Sequence, residues 1–176
     1  MVIDSHYRNK LDFNFENLKK YEKMLAKIDL SIKSLNKVEK YKEKEDNYSR
    51  IQTKKEVDNE LQRFKEAISN DLNTHEALQH FLSLLDLADE KTSKGKVDSK
   101  EFSIISNAIS KMNSFLGVYV EYEIPNEIID LAEEREKKRE EKKFSDADLL
   151  REKINEKGYF IADLQNTFVI TKKYID

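Results

Sequence analysis

The spacing of apolar residues is the sequence feature that most restricts the fold. In four segments, apolar side chains recur three or four positions apart, which is the period of a helix face packed against a core. The 176 residues include only 3 glycines and 1 proline, which disfavours β architectures with many turns and glycine-rich phosphate loops. The sequence therefore predicts a mainly α-helical protein.

The four periodic segments are joined by short second and third connections, so the sequence predicts an antiparallel helical bundle over residues 1–120. Asn14 is the expected N-cap of the first helix. Residues 42–55 lose the period and are predicted to be a loop or a frayed helix end. The four predicted helices cover approximately residues 15–41, 57–69, 74–94 and 99–119.

The second and third helices are separated by a break that contains neither proline nor glycine. Residues 70–74 read NDLNT, and Asn, Asp and Thr favour caps and turns because they bond their own backbone. Asn73 or Thr74 can cap the next helix, and Glu76 stands where a capping-box acid is expected. The break is therefore predicted to be a helix hairpin.

The character of the chain changes after Pro125, and residues 125–176 are predicted to form a small α+β appendage. Pro125 is well placed to open a helix that continues through the charged run of residues 133–143, which alone indicates a solvated helix surface. Ser145, three residues before Asp148, predicts a capping box, and Gly158 predicts the end of that helix. The remaining residues predict a β-hairpin turning near Gln165 and Asn166, the only β-structure expected.

Composition excludes several classes of function. The chain has no cysteine, and its histidines lack the spacing of a helical metal pair, so a metal site is not expected. No apolar run is long enough for a membrane helix and no leader is recognisable, which predicts a soluble, cytoplasmic protein. A net charge of −3 lacks the positive excess typical of proteins that bind nucleic acid without sequence preference.

The appendage contains the residues most suited to binding. An aromatic side chain, arginines and carboxylates around a helix junction can stack on unpaired bases and read their hydrogen-bonding edges. Each also has a structural interpretation: the aromatic as a staple between helices, one acid as a cap, the other as a turn residue, and the arginines as surface charges. The candidate residues are Arg139, Phe144, Asp148, Arg151 and Asp163.

Three segments, in order, resemble the region that follows the catalytic domain in cysteinyl-tRNA synthetases, also called cysteine–tRNA ligases. SHYRNKLDFNFENL, residues 5–18, is similar to the segment after the catalytic fold, although Lys10 replaces a common proline. FKEAISNDLNTHEAL, residues 64–78, resembles the hairpin of the helical-bundle (DALR-type) domain. EEREKKREEKKFSDADLLREKINEKGYFIAD, residues 133–163, resembles the anticodon-binding tail.

The resemblance implies a tRNA-binding function divided between the bundle and the tail. The bundle would support the inner side of the tRNA, and Arg139, Phe144, Asp148, Arg151 and Asp163 would face the anticodon. The segment DLQNTFVITKK departs from the family because it is shorter, has Asn166 near a usual glycine, and lacks the usual tryptophan.

The same resemblance implies that catalysis takes place outside this chain. The catalytic domain carries a His-Ile-Gly-His type motif, a Lys-Met-Ser-Lys-Ser type loop and a zinc site rich in cysteine, and this sequence has none of them. The chain is therefore expected to be a fragment beginning just after the catalytic region and to hold no cofactor, whereas the complete enzyme would use ATP and zinc. Its expected partners are the anticodon stem-loop of a cysteine tRNA and the catalytic domain, with no membrane. The alternative is a structural helical bundle that binds another protein and has no nucleic-acid role.

Overall fold

A computed structural model of the chain describes residues 3–5, 7–10, 14–41, 47–93, 95–165 and 167–174. It is mainly α-helical, which confirms the predicted fold class, and it divides into two compact units, Met1–Tyr119 and Val120–Asp176. The helices are α1 (Phe15–Lys37), α2 (Asn47–Ser69), α3 (Thr74–Thr92), α4 (Ser99–Leu116), α5 (Asn126–Glu140) and α6 (Phe144–Glu156). The strands are β1 (Glu39–Tyr41), β2 (Lys96–Asp98), β3 (Tyr159–Asp163) and β4 (Phe168–Lys172).

The first unit, called the bundle unit below, is organised around α3. This helix packs against α1, α2 and α4, so it needs an apolar surface wider than that of a helix with one neighbour. Its sequence supplies that surface, and the predicted helix phase is confirmed. The α3 side chains with 0% exposure are Ala77, Phe81, Leu84, Leu85 and Ala88.

The connection between α2 and α3 is the predicted helix hairpin. Asp71 and Leu72 adopt positive φ angles of 54° and 52°, which reverse the chain without glycine. Asn73 caps α3: its side-chain oxygen accepts a hydrogen bond from the Glu76 backbone N–H at 3.2 Å, and its side-chain amide donates to the Glu76 carboxylate at 2.9 Å. The predicted Asn73 cap is thus confirmed, but Glu76 does not complete a capping box, because the Asn73 backbone N–H bonds the Ala67 and Asn70 carbonyls.

Helix α2 begins at Asn47, ten residues earlier than its apolar period indicates, so the prediction of a loop or a frayed helix end is wrong for residues 47–55. Ser49 and Thr53 point inward and donate hydrogen bonds to Glu101 Oε1 at 2.7 and 2.6 Å, and Lys91 Nζ lies 3.3 Å from the same oxygen. The inner face of this part of α2 is therefore polar, which removes the apolar period. Residues 42–46 of the predicted loop lie outside the described part of the chain.

The bundle unit also contains a two-stranded parallel ladder, so the expectation that the appendage holds the only β-structure is wrong. Glu39–Tyr41 pairs with Lys96–Asp98 in register. Beside the ladder, Arg50 donates from Nε and Nη2 to the two oxygens of Asp98, each at 2.9 Å, while Asp98 caps α4 through the backbone N–H groups of Lys100 and Glu101. Strands of three residues are too short to show a period of two in the sequence.

Two of the predicted helices end earlier than expected, the first because the chain enters a strand and the fourth because a glycine turns the chain. Helix α1 stops at Lys37 instead of continuing to about residue 41, because the next residues enter β1. Helix α4 stops at Leu116, where Gly117 adopts a left-handed conformation with a φ of 62°. At the other end of α1, the Asn14 side chain accepts a hydrogen bond from the Asn17 backbone N–H at 2.8 Å, which confirms the predicted cap.

The second unit, called the tail unit below, consists of α5, α6 and an antiparallel hairpin of β3 and β4. The Leu164 N–H bonds the Thr167 carbonyl at 2.7 Å and closes the turn, so Gln165 lies in the turn as predicted, whereas Asn166 lies outside the described residues. Gly158 follows α6 with a φ of 83°, as expected for a residue that ends a helix. The core is formed by Ile128, Ala132, Ile154, Ile161 and Ile170.

The predicted capping box at Ser145 is not formed, because α6 already begins at Phe144 and has no side-chain cap. The backbone makes the connection from α5 instead. Lys142 adopts a φ of 59°, and the Lys143 N–H bonds the Lys138 carbonyl at 2.8 Å. These main-chain interactions give hydrogen-bond donors to backbone carbonyls in the last turn of α5 and determine where α6 begins.

Candidate nucleic-acid interface

Arg135 occupies a core-facing position on α5. It follows Ile128 by seven residues and Ala132 by three, so all three share one helix face. The Arg135 side chain is only 1% exposed. A buried guanidinium needs a hydrogen-bonded partner of opposite charge, because removing an unpaired charge from water is costly.

That partner is Asp163, the last residue of β3. Arg135 Nη1 donates to Asp163 Oδ1 at 2.7 Å and Arg135 Nη2 donates to Asp163 Oδ2 at 3.0 Å. The two parallel bonds form a fork, which fixes the plane of the carboxylate as well as its position. The end of β3 that carries Asp163, next to the hairpin turn, is thereby attached to the core-facing side of α5.

Arg139, one helical turn after Arg135, binds the same carboxylate from a more exposed position. Its Nη1 donates to Asp163 Oδ2 at 3.0 Å, and its side chain is 39% exposed. Three guanidinium N–H groups therefore occupy three of the roughly four acceptor positions of the Asp163 carboxylate. Asp163 is 31% exposed and retains about one acceptor position for another donor.

The positive surroundings keep Asp163 ionised. Hydrogen bonding from Arg135 is the strongest influence and lowers the pKa of Asp163, and burial acts in the opposite direction. The charges of Arg135, Arg139 and Arg151 lower the pKa further, so it lies below the ordinary value. The group is thus a hydrogen-bond acceptor at neutral pH, and it is not suited to act as a proton donor.

Helix α6 presents the other predicted residues. Phe144, Asp148 and Arg151 are four and three residues apart, which places them on one face, and all three are exposed. Phe144 is 61% exposed, which argues against its alternative role as a staple between helices. Arg151 Nη2 lies 3.5 Å from the Ile161 carbonyl of β3, which brings this face to the strand that carries Asp163.

The structure thus brings Arg139, Arg151 and Asp163 together, with Phe144 and Asp148 on the same helix face as Arg151. The predicted set omits Arg135, the residue that organises this group from inside. The charged run around it suggested only a solvated surface, and that interpretation is wrong for this residue. The sequence signal for its core-facing position was its spacing of three residues from Ala132 and seven from Ile128.

This arrangement is suited to binding unpaired bases. An exposed aromatic ring can stack on a base, guanidinium groups can donate to phosphate or base acceptors, and carboxylates can accept from base amino and imino groups. In the described ranges, no group of three or more His, Asp or Glu side chains is arranged to hold a metal ion. Within the same ranges, every helix is too short or too polar to cross a bilayer.

Comparison with known proteins gives a consistent result. The chain is 30% identical over 171 residues to the cysteine–tRNA ligase of Chlamydia caviae, 29% identical over 166 residues to that of Methanosarcina mazei, and 29% identical over 171 residues to that of Finegoldia magna. These matches cover 94%, 93% and 94% of this chain but only 35% of each relative. No protein-family model matches the chain.

The chain spans about a third of the length of the curated relatives it matches. The similarity nevertheless includes both the bundle and the tail segments, because it extends over more than nine-tenths of the chain. The resemblance recognised from the three sequence segments is thereby confirmed: nearly the whole of this chain is similar to a region that makes up about one third of the length of cysteine–tRNA ligases.

Proposed function

We propose that this chain is the tRNA-binding, anticodon-recognising C-terminal region of a cysteine–tRNA ligase, an enzyme that joins cysteine to its tRNA using ATP. The observation that carries the proposal is the exposed Phe144–Asp148–Arg151 face of α6, which reaches the strand bearing Asp163. Anticodon bases are unpaired, so they can be splayed out against such a surface.

The balance of charge favours base reading over general attraction to phosphate. The chain carries a net charge of −3, so binding without sequence preference has little electrostatic support. Carboxylates at a nucleic-acid surface repel the backbone and are useful mainly as acceptors for base donors. Exposed Asp148 is better suited to this role than Asp163, whose acceptor positions are mostly occupied.

Guanine fits these acceptors. Its Watson–Crick edge presents an imino and an amino donor next to a carbonyl acceptor, and guanine is the first anticodon base expected in a cysteine tRNA. Asp148, and the remaining acceptor of Asp163, would receive the donors. Arg139 and Arg151 would contact the carbonyl or a nearby phosphate.

The bundle unit would support the inner side of the same tRNA. ATP and zinc, which the complete enzyme would use, would bind in a separate catalytic domain, because this sequence contains no cysteine and none of the nucleotide-binding motifs. Aminoacylation would then need that domain as a partner, and this chain would contribute affinity and choice of tRNA.

Replacing Phe144 with alanine should weaken binding to the anticodon stem-loop of a cysteine tRNA. Loss of one aromatic stack corresponds to about 1–3 kcal/mol, or roughly 5- to 150-fold in Kd. Calorimetric titration with the stem-loop measures the effect. Leu149→Ala is the matched control, because Leu149 is 58% exposed on the same helix but points away from the Phe144 face.

Replacing Arg139 with alanine should reduce both affinity and its dependence on salt. If Arg139 contacts a phosphate, the slope of log K against log salt should fall by about 1 in magnitude. Titrations at two salt concentrations measure it, and Lys137→Ala removes an equal charge from a different face of α5 as the control. If the Arg139 and Phe144 variants both bind like the unmodified chain and anticodon changes have no effect, the bundle is better explained as a protein-interaction module.

A further inference from the structure

We propose that Arg135 is a positioning residue for base recognition, acting through Asp163 to hold the guanidinium of Arg139 at the binding surface. This inference rests on the proposed anticodon-binding function. It assigns a specificity role to a residue that is too deeply buried to touch a ligand.

The three side chains form a relay from the core to the surface. Arg135 is 1% exposed, Asp163 is 31% exposed and Arg139 is 39% exposed. The central carboxylate receives two bonds from the inner arginine, at 2.7 and 3.0 Å, and one from the outer arginine at 3.0 Å. Any rotation of the carboxylate therefore moves the acceptor that holds Arg139.

The fork from Arg135 prevents that rotation. A single bond from Arg139 would leave the Asp163 carboxylate free to turn about its own axis, whereas two parallel bonds define its plane. Since the fork requires a planar guanidinium, lysine cannot reproduce it even though it carries the same charge. Glu136, whose Oε2 lies 3.7 Å from Arg135 Nη1, is the other acid next to the relay.

A position inside the core suggests orientation more than stability as the reason for this charge. A buried ion pair is often no more stabilising than apolar side chains of similar volume, because both charges must be removed from water. A binding site gains affinity when the rotamers of its contact residues are fixed before the ligand binds, because less conformational entropy is then lost on binding. Here the locked residues are Arg139 and the remaining acceptor of Asp163.

The test compares Arg135→Lys and Arg135→Met with Leu150→Ala in the full chain. Leu150 is a buried residue of the same unit, 6% exposed, so its truncation loosens the core without removing the relay. The probes are two anticodon stem-loops that differ only in the first anticodon base, guanine or adenine. We expect the Arg135 variants to lower the preference for guanine at least tenfold, and the Leu150 variant to keep it.

A spectroscopic readout separates positioning from stability. The carboxyl carbon signal of Asp163, followed by NMR against pH, should titrate closer to its ordinary range in Arg135→Lys and remain unchanged in Leu150→Ala. If folded Arg135→Lys retains both the guanine preference and the original Asp163 titration, the proposal is overturned.

The two proposals can fail separately. If the unmodified chain does not distinguish the two stem-loops, the anticodon function fails, and the Asp163 titration alone decides whether Arg135 positions the carboxylate. If neither Arg135 variant folds, the unmodified chain provides the test through the guanidinium Nε–H signals of Arg135 and Arg139. Both signals should shift at the pH at which Asp163 is half protonated, and a shift of only one would refute the relay.

Discussion

Replacing Phe81 with aspartate is expected to unfold the bundle unit. Phe81 is 0% exposed on α3, the helix that packs against α1, α2 and α4. Loss of the ring alone corresponds to about 3–5 kcal/mol, and the buried carboxylate adds a further penalty. Since a whole domain is stable by only about 5–15 kcal/mol, this single change should remove most of the stability of the unit.

Hydrogen–deuterium exchange resolved by peptide measures this effect where it occurs. Peptides from α1, α2, α3 and α4 should lose protection in Phe81→Asp. Ile51→Asp is the control, since Ile51 is 66% exposed on α2 and the same change should alter stability by no more than about 0.5 kcal/mol. Unchanged protection in Phe81→Asp would show that the α3 packing described above is wrong.

Replacing Asp163 with alanine should destabilise the tail unit by up to about 3–5 kcal/mol, because the buried Arg135 loses its hydrogen-bonded carboxylate and keeps only Glu136, 3.7 Å away, as a nearby acid. Asp148→Ala removes an exposed acid from the same unit and should change stability by less than about 0.5 kcal/mol. Thermal unfolding followed by NMR signals of β3 and β4 measures both variants. Equal melting temperatures for Asp163→Ala and Asp148→Ala would show that Arg135 can remain buried without Asp163 at no cost in stability.

Asp163 contributes to both the stability of the hairpin and the candidate binding surface. A loss of tRNA binding in Asp163→Ala would combine an unfolded hairpin with a lost base contact. Asp163→Asn separates the two effects better, because the asparagine side-chain oxygen still accepts a hydrogen bond from Arg135 while the negative charge is removed.

The same pair makes the tail unit sensitive to acid. The pKa of Asp163 in the folded chain lies below its ordinary value, mainly through hydrogen bonding from Arg135, so the stabilisation is complete above the unfolded-state pKa. It is lost as pH falls through the lower, folded-state pKa. Denaturation curves at neutral and acid pH should show this loss in the unmodified chain and a smaller one in Asp163→Asn.

Sequence reasoning predicted the elements whose buried faces are apolar. Helix α3 is the clearest case, because contact with three helices makes its period broad and regular. The Asn73 cap and the terminal hairpin were also predictable, since caps and turns depend on local residue chemistry. These features need little information from distant parts of the chain.

Two of the missed features, the early start of α2 and the burial of Arg135, depend on polar groups satisfied by distant partners. Thr53 and Ser49 belong to a buried helix face only because Glu101 lies opposite them, and Arg135 is buried only because Asp163 ends the neighbouring strand. The spacing of Arg135 from Ile128 and Ala132 indicates a core-facing position, but no local pattern identifies Glu101 or Asp163 as the partners. Arg135 stands within a run of charged residues, so its composition does not distinguish it from its exposed neighbours.

The parallel ladder between β1 and β2 has a consequence for the order of folding. Its partners, such as Glu39 and Lys96, are separated along the chain by the whole of α2 and α3. Closing so large a loop costs entropy, and that cost falls once the intervening helix hairpin has formed. We therefore expect α2 and α3 to associate first and the ladder, with the adjoining Arg50–Asp98 pair, to close the bundle last.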